Sequence, residues 1–254
     1  MSGHLPQLAL RWLPWLRGDR SQRLDHCHVS PTLTPFLYWL GRRLVLPLYF
    51  GPIDIEGQER LPHTGPVIFA PTHRSRWDAI MVCLAAGRHV TGRDPHFMVS
   101  ANEVRGIQGW FVRRLGGFPI DTCRPGIASL RHGIELLQRG QTLTIFPEGN
   151  IFRDGSLHPL KPGLARMAAH TLETQPDQDI TIVPINLRYG PRGPVFGSRI
   201  TIAIGQPIST RACQRASAKA TARTILAQLK QNFEPLGALP ASQPPICEAP
   251  AHAA

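Results

Sequence analysis

PVIFAPTHRSRWDAIMVCLAAG, residues 66–87, holds two periodicities in succession. PVIFAP, 66–71, is an unbroken apolar run rich in β-branched and aromatic residues, as a strand buried on both faces requires. Ser75 followed three residues later by Asp78 has the form of a capping box, predicting a helix that starts at Arg76. Trp77, Ile80, Met81 and Leu84 then fall on one helical face, and Gly87 can end it. The stretch therefore reads as strand, loop, helix. His73 lies on the loop and Asp78 in the first helical turn, where the helix dipole favours a negative charge. In one continuous helix the two would point about 140° apart. With the helix starting at Arg76, the loop can fold His73 back towards Asp78. A carboxylate bonded to one imidazole nitrogen fixes the tautomer and leaves the other nitrogen as a general base. The motif also has a plainer reading, with Asp78 capping a helix and His73 on a loop.

The same alternation continues outward. Strands are predicted at 52–57, 66–71, 96–101, 116–121, 142–147, 180–187 and 199–205. Helical spacing recurs in 125–139, through Ile127, Leu130, Ile134 and Leu137, and again in 161–174 and 212–233. Alternating strands and helices predict an α/β fold with a mixed, largely buried sheet flanked by helices. Pro184, within the strand run IVPI, suggests an edge or a bulge. Residues 235–254, rich in proline and alanine, read as a disordered tail.

The chain of 254 residues is 42% apolar and 18% charged, enough to bury a substantial core. Its net charge is +11, and among its basic residues only Lys161, Lys219 and Lys230 are lysine. Such a balance favours anionic partners: nucleic acid, anionic lipid or phosphorylated ligands. The arginines are dispersed and form no recognisable nucleic-acid-binding motif, which argues against nucleic acid. The five cysteines are scattered, with no C-x-x-C pair, which fits neither a disulfide scaffold nor a zinc site. No metal site is expected around His73 and Asp78, because no further ligands are placed to complete one.

Residues 1–50 differ in character from the rest. LPQLALRWLPWLR, 5–17, is amphipathic and broken by Pro14; 18–31 is polar. Residues 32–51 are mostly apolar but interrupted by Arg42, Arg43 and Pro47. Two adjacent arginines are costly in the middle of a span. The segment reads instead as a helix lying in the bilayer surface with its arginines at headgroup level. The alternative is a helix packed on the globular core.

Downstream of THRSRWD come GGFPID (116–121), FPEG (146–149), LKPGLARMA (160–168) and VPI (183–185). Their order, over roughly residues 50–210, resembles the glycerolipid acyltransferase family, the lysophosphatidic acid (1-acyl-sn-glycerol-3-phosphate) and glycerol-3-phosphate acyltransferase group. The resemblance implies an acyltransferase domain over 51–234 behind a membrane-facing N-terminal segment, 1–50, on the cytoplasmic face of a membrane. It implies acyl transfer from acyl-CoA or acyl carrier protein to a lipid hydroxyl, yielding phosphatidic acid in phospholipid biosynthesis. His73 would be the general base and Asp78 its orienting partner. Glu148 and Gly149 would shape the acceptor site, and Lys161 would add charge near a phosphate. No metal or redox cofactor is implied.

Three positions depart from the family pattern. Thr72 stands where asparagine is usual. The arginines usual after the second and third blocks are replaced by Thr122 and Ile151, with Arg124 and Arg153 each two residues later. Two residues of extended chain displace a side chain by about 6.6 Å. Either Arg124 and Arg153 reach the same phosphate from shifted positions, or the acceptor has no phosphate there and is a different, non-phosphorylated lipid.

Overall fold

The structure is a computed structural model that describes residues 29–121 and 126–237. The readings of 5–17 and of most of the C-terminal tail fall outside these residues. An almost continuous helical stretch comes first: α1 (Leu33–Leu40), a π-helical turn (Gly41–Val45) and α2 (Leu46–Tyr49). The wide turn precedes Pro47, whose ring nitrogen has no proton for the normal helical ladder. The remaining helices are α3 (Asp78–Ala86), α4 (Arg88–Thr91), α5 (Gly106–Arg114), α6 (Ile127–Gln138), α7 (Gly163–Thr174) and α8 (Ala218–Gly237). Among the described residues no helix is long and apolar enough to cross a membrane.

The strands are β1 (Ile53–Glu56), β2 (Val67–Pro71), β3 (His96–Ser100), β4 (Gly117–Ile120), β5 (Thr142–Thr144), β6 (Thr181–Tyr189), β7 (Ile200–Ile204) and β8 (Ile208–Ser209). They form one mixed sheet in the order β1-β7-β6-β2-β5-β3-β4, with β8 beside β6. Only the pairings of β6 with β7 and with β8 are antiparallel. The strand–loop–helix unit at 66–87 sits at the centre, since β2 lies between β5 and β6.

Every residue of β2 is buried, as its unbroken apolar run requires. Ile68 and Ala70 face a core closed by α6, α7 and α8, with Leu137, Leu164, Ile225 and Leu229. Val67 and Phe69 face the other core, with Met81, Val82 and Ala85 of α3 and Leu46 of α2. Truncating a fully buried side chain such as Phe69 costs about 3–5 kcal/mol, so this central strand anchors everything that follows it.

Several expectations change. Regular α3 begins at Asp78, two residues later than the capping box suggests, with Arg76 and Trp77 in a turn. The helix read from 212 begins at Ala218, after the unforeseen short strand β8. It continues past Pro235 to Gly237, three residues into the segment read as a tail. Pro184 is not on an edge strand, because β6 is internal. It sits at the break between the two antiparallel partners of β6, after Ile182↔Ile208 and before Ile185↔Ile204, where its missing N–H disrupts no ladder. Helix α5 was not expected from the sequence.

Candidate active site

The loop between β2 and α3 turns back on itself, and Asp78 holds it. Oδ2 of Asp78 accepts hydrogen bonds from the backbone N–H of Arg74 at 2.6 Å and of Ser75 at 2.7 Å. The second is the backward arm of the capping box. Ser75 Oγ accepts from the Trp77 N–H at 3.2 Å, and the Asp78 N–H donates to the Ser75 carbonyl. The same Oδ2 lies 2.9 Å from His73 Nδ1. The two residues expected to meet across the loop do meet.

Asp78 is fully buried, a placement that is costly for a charged carboxylate unless it is hydrogen-bonded throughout. Its other oxygen meets that requirement through the Tyr189 hydroxyl, which donates to Oδ1 at 2.7 Å. Burial first, and then the neighbouring carboxylate, push the Tyr189 hydroxyl well above the usual tyrosine range, so it remains a donor. Nothing in the linear sequence pointed to Tyr189. It lies at the end of β6, and its only signal was its place in a strand adjoining β2.

The His73 ring stacks on Phe146 with centroids 4.1 Å apart. It borders a cavity of about 1120 Å³. With Nδ1 engaged by Asp78, Nε2 is the ring nitrogen left to meet a substrate. The wall is largely apolar, including Leu37 and Leu40 of α1, Ile80 and Leu84 of α3, and Leu164 and Met167 of α7. Val112 and Leu115, of α5 and the turn after it, complete one side.

Glu148 sits differently from the expectation that it shapes an acceptor site. Phe146, Pro147 and Gly149 border the cavity, and Glu148 does not. Its buried carboxylate points behind the His73 loop, to the His73 N–H at 2.7 Å and the His158 N–H at 3.0 Å. Both oxygens also accept from Nη1 of Arg74, at 2.9 and 3.0 Å. Arg74 is itself only 5% exposed and reaches the Ser156 carbonyl through Nη2. The Phe152 N–H donates to the His73 carbonyl at 2.8 Å, so the segment after β5 grips His73 on both sides of its backbone. Thr72 accepts from the Leu187 N–H and donates to Asn186, tying the loop to β6.

Gly149 has φ +70°, a conformation glycine adopts without penalty. A Cβ there would come within 2.7 Å of the Lys161 side chain, which lies against it at the cavity wall. Ile151 also borders the cavity, whereas Arg153 is exposed and outside the wall. Arg124 lies outside the described residues. Of the seven residues singled out, the structure thus brings His73, Asp78, Gly149 and Lys161 to one site, and places Glu148 behind it.

Known proteins resemble this chain in sequence and in fold. Residues 52–188 match the family model described as Acyltransferase. The chain is 27% identical over 176 residues to the mitochondrial glycerol-3-phosphate acyltransferase 1 of Sus scrofa, covering 63% of this chain and 21% of that protein. It is 28% identical over 176 residues to a chloroplastic 1-acyl-sn-glycerol-3-phosphate acyltransferase of Arabidopsis thaliana, covering 65% of this chain and 45% of that one. The chain thus spans less than half the length of these relatives. The crystal structure of the 1-acyl-sn-glycerophosphate (LPA) acyltransferase PlsC from Thermotoga maritima shares the fold, with a TM-score of 0.57 and 21% identity over 81% of each chain. The family match covers more than half of the 254 residues and contains the whole His73–Asp78 loop, and the chain belongs to the acyltransferase family.

Proposed function

We propose that the protein transfers a fatty acyl group from an acyl-CoA or acyl carrier protein thioester to the hydroxyl of a lysophosphatidic acid-type acceptor at a membrane surface, giving phosphatidic acid. The observation that carries this reading is the His73–Asp78 pair at the wall of a large apolar cavity. Nε2 of His73 takes the proton of the acceptor hydroxyl as its oxygen attacks the thioester carbonyl. The tetrahedral intermediate collapses by breaking the C–S bond, and the imidazolium returns the proton to the departing thiolate. The products are an ester and a free thiol. Asp78 keeps Nδ1 protonated and stabilises the imidazolium between the two steps. The apolar wall suits an acyl chain, since lipid-binding cavities exclude water from the chain they hold. The names of the relatives support the same chemistry and a glycerolipid acceptor.

The reading assigns an acceptor phosphate to Lys161, beside Gly149; of the two arginines also at the wall, Arg42 and Arg76, Arg76 is engaged by Glu103 at 2.6 Å. A second reading, a non-phosphorylated lipid acceptor, is favoured by Ile151 at the wall and Arg153 outside it. The deciding experiment incubates the protein with labelled acyl-CoA or acyl carrier protein and a panel of acceptors: glycerol 3-phosphate, lysophosphatidic acid, other lysophospholipids and a monoacylglycerol. Labelled phosphatidic acid is expected, and lost in His73→Ala. Turnover restricted to the uncharged acceptor would replace the phosphate reading, and no dependence on His73 would overturn the mechanism.

The exposed apolar side chains Phe36 and Trp39 of α1 and Leu48 of α2, beside Arg42 and Arg43, support peripheral attachment of this segment to a membrane; that the membrane face is the cytoplasmic one is part of the same proposal. We extend the proposal to the division of the chain into a membrane-associating segment, 1–50, and the acyltransferase domain that follows it.

A further inference from the structure

Helix α5 is amphipathic with the wrong face outward. Ile107, Trp110, Phe111 and Arg114 follow the i, i+3, i+4, i+7 spacing of one helical stripe. Ile107 is 80% exposed, Trp110 48% and Phe111 39%. The opposite side is the packed one: Gly109 is buried against Val104, where a Cβ would come within 2.4 Å of backbone. Packing therefore holds the stripe away from the core. Trp110 and Phe111 meet edge to face at 4.9 Å, and the Arg114 guanidinium lies over the Trp110 ring at 4.3 Å. No acidic residue occurs within the helix; Arg105 precedes it, and Arg113 and Arg114 form its end.

We propose that α5 is a second membrane-docking element, whose occupant is an anionic lipid bilayer. The inference rests on the membrane-surface reading above and extends it to a helix outside the N-terminal segment. Two features favour a bilayer over a protein partner. The first is composition: tryptophan and phenylalanine with arginines snorkelling beside them fit the headgroup boundary of an anionic leaflet. The second is continuity. Ser30 N–H and the Thr34 hydroxyl both donate to the Arg114 carbonyl, and Val29 bridges to Leu115, so α5 is tied to the start of α1. Both helices border the same cavity, α1 through Leu37 and Leu40, and α5 through Gln108 and Val112. Exposed Phe36 and Trp39, and exposed Ile107 and Trp110, thus lie on two joined helices that border one cavity, and a bilayer docked on both helices would adjoin it.

The test is flotation with vesicles of phosphatidylcholine alone and of phosphatidylcholine mixed with phosphatidylglycerol. Ile107→Ser/Trp110→Ser/Phe111→Ser is expected to partition onto the mixed vesicles at least about tenfold more weakly than the wild type. Arg105→Gln/Arg114→Gln is expected to lose the preference for the anionic vesicles. Undiminished binding by the triple variant would overturn the proposal. So would a concentration-dependent dimer that the triple variant dissolves while vesicle binding stays unchanged, since the stripe would then belong to a second copy. If the triple variant does not fold, Trp110→Phe serves instead. Brominated lipid should quench wild-type fluorescence more than that of Trp110→Phe, and equal quenching refutes the docking. Vesicle binding that responds to α5 without any turnover in the acceptor panel would refute the enzymatic reading alone. Turnover with an α5-independent vesicle interaction would refute this one alone.

Discussion

The Tyr189 hydroxyl donates to Oδ1 of Asp78 at 2.7 Å while Oδ2 of the same carboxylate holds the His73 ring at 2.9 Å. The strand end of β6 thereby reaches His73 through one shared carboxylate, and under the proposed mechanism Tyr189 is a positioning residue for the general base. Tyr189→Phe removes the donor and keeps the ring. A buried hydrogen bond to a charged group is worth about 1.5–3 kcal/mol, so kcat should fall roughly tenfold to a hundredfold with little change in KM. A fall in kcat accompanied by an equal rise in KM, or tracked by a lower urea midpoint, would mean that Tyr189 serves packing alone.

The Arg74–Glu148 pair is buried, and its loss should show in stability before it shows in chemistry. Glu148→Gln leaves the Arg74 guanidinium without its counter-charge. The expected destabilisation is about 3–5 kcal/mol in urea unfolding, and Arg74→Met combined with Glu148→Gln should recover part of it. If Glu148→Gln unfolds at the wild-type midpoint, the pair is not what supports the His73 loop.

Gly149→Ala tests the position of Lys161. The substitution imposes about 1–2 kcal/mol of backbone strain at positive φ and drives a methyl group into the lysine stem. If Lys161 binds an acceptor phosphate, both Gly149→Ala and Lys161→Ala should raise the acceptor KM, by about tenfold for a lost charge-assisted contact. Arg153→Ala, outside the wall, should leave that KM unchanged. A rise for Arg153→Ala with none for Lys161→Ala would reverse the assignment.

Three half-buried acids predict weakening at alkaline pH. Burial pushes Cys83 up to about 12, and pushes Tyr38 and Tyr189 well above the usual tyrosine range. In the unfolded chain these groups ionise near about 8.5 and 10. Below those values both states hold the proton and no stability is lost. Above them the unfolded state releases protons that the folded state retains, so stability falls as pH rises. The urea midpoint should decline from about pH 9 upward, and Cys83→Ala should flatten the start of the decline. A midpoint constant to pH 10.5 would contradict the burial of these groups.

What could be read from linear order is what depends on near neighbours. The apolar run 66–71 determined a strand buried on both faces, because alternate side chains of one strand face opposite sides and all were apolar. Asp78, three residues beyond Ser75, determined a loop that returns His73 to the carboxylate, because both partners lie within one helical turn of the reversal. Tertiary structure decided the rest, because those partners are distant in the chain. Tyr189 meets Asp78 across 111 positions, and Arg74 meets Glu148 across 74. The packing of β2 against β5 and β6 brings them together, and no local pattern encodes which side chain arrives at a strand end. The same holds for the turning of Glu148 away from the cavity. It holds equally for α5, whose apolar stripe looks like a core face until the packing of Gly109 on Val104 directs it outward.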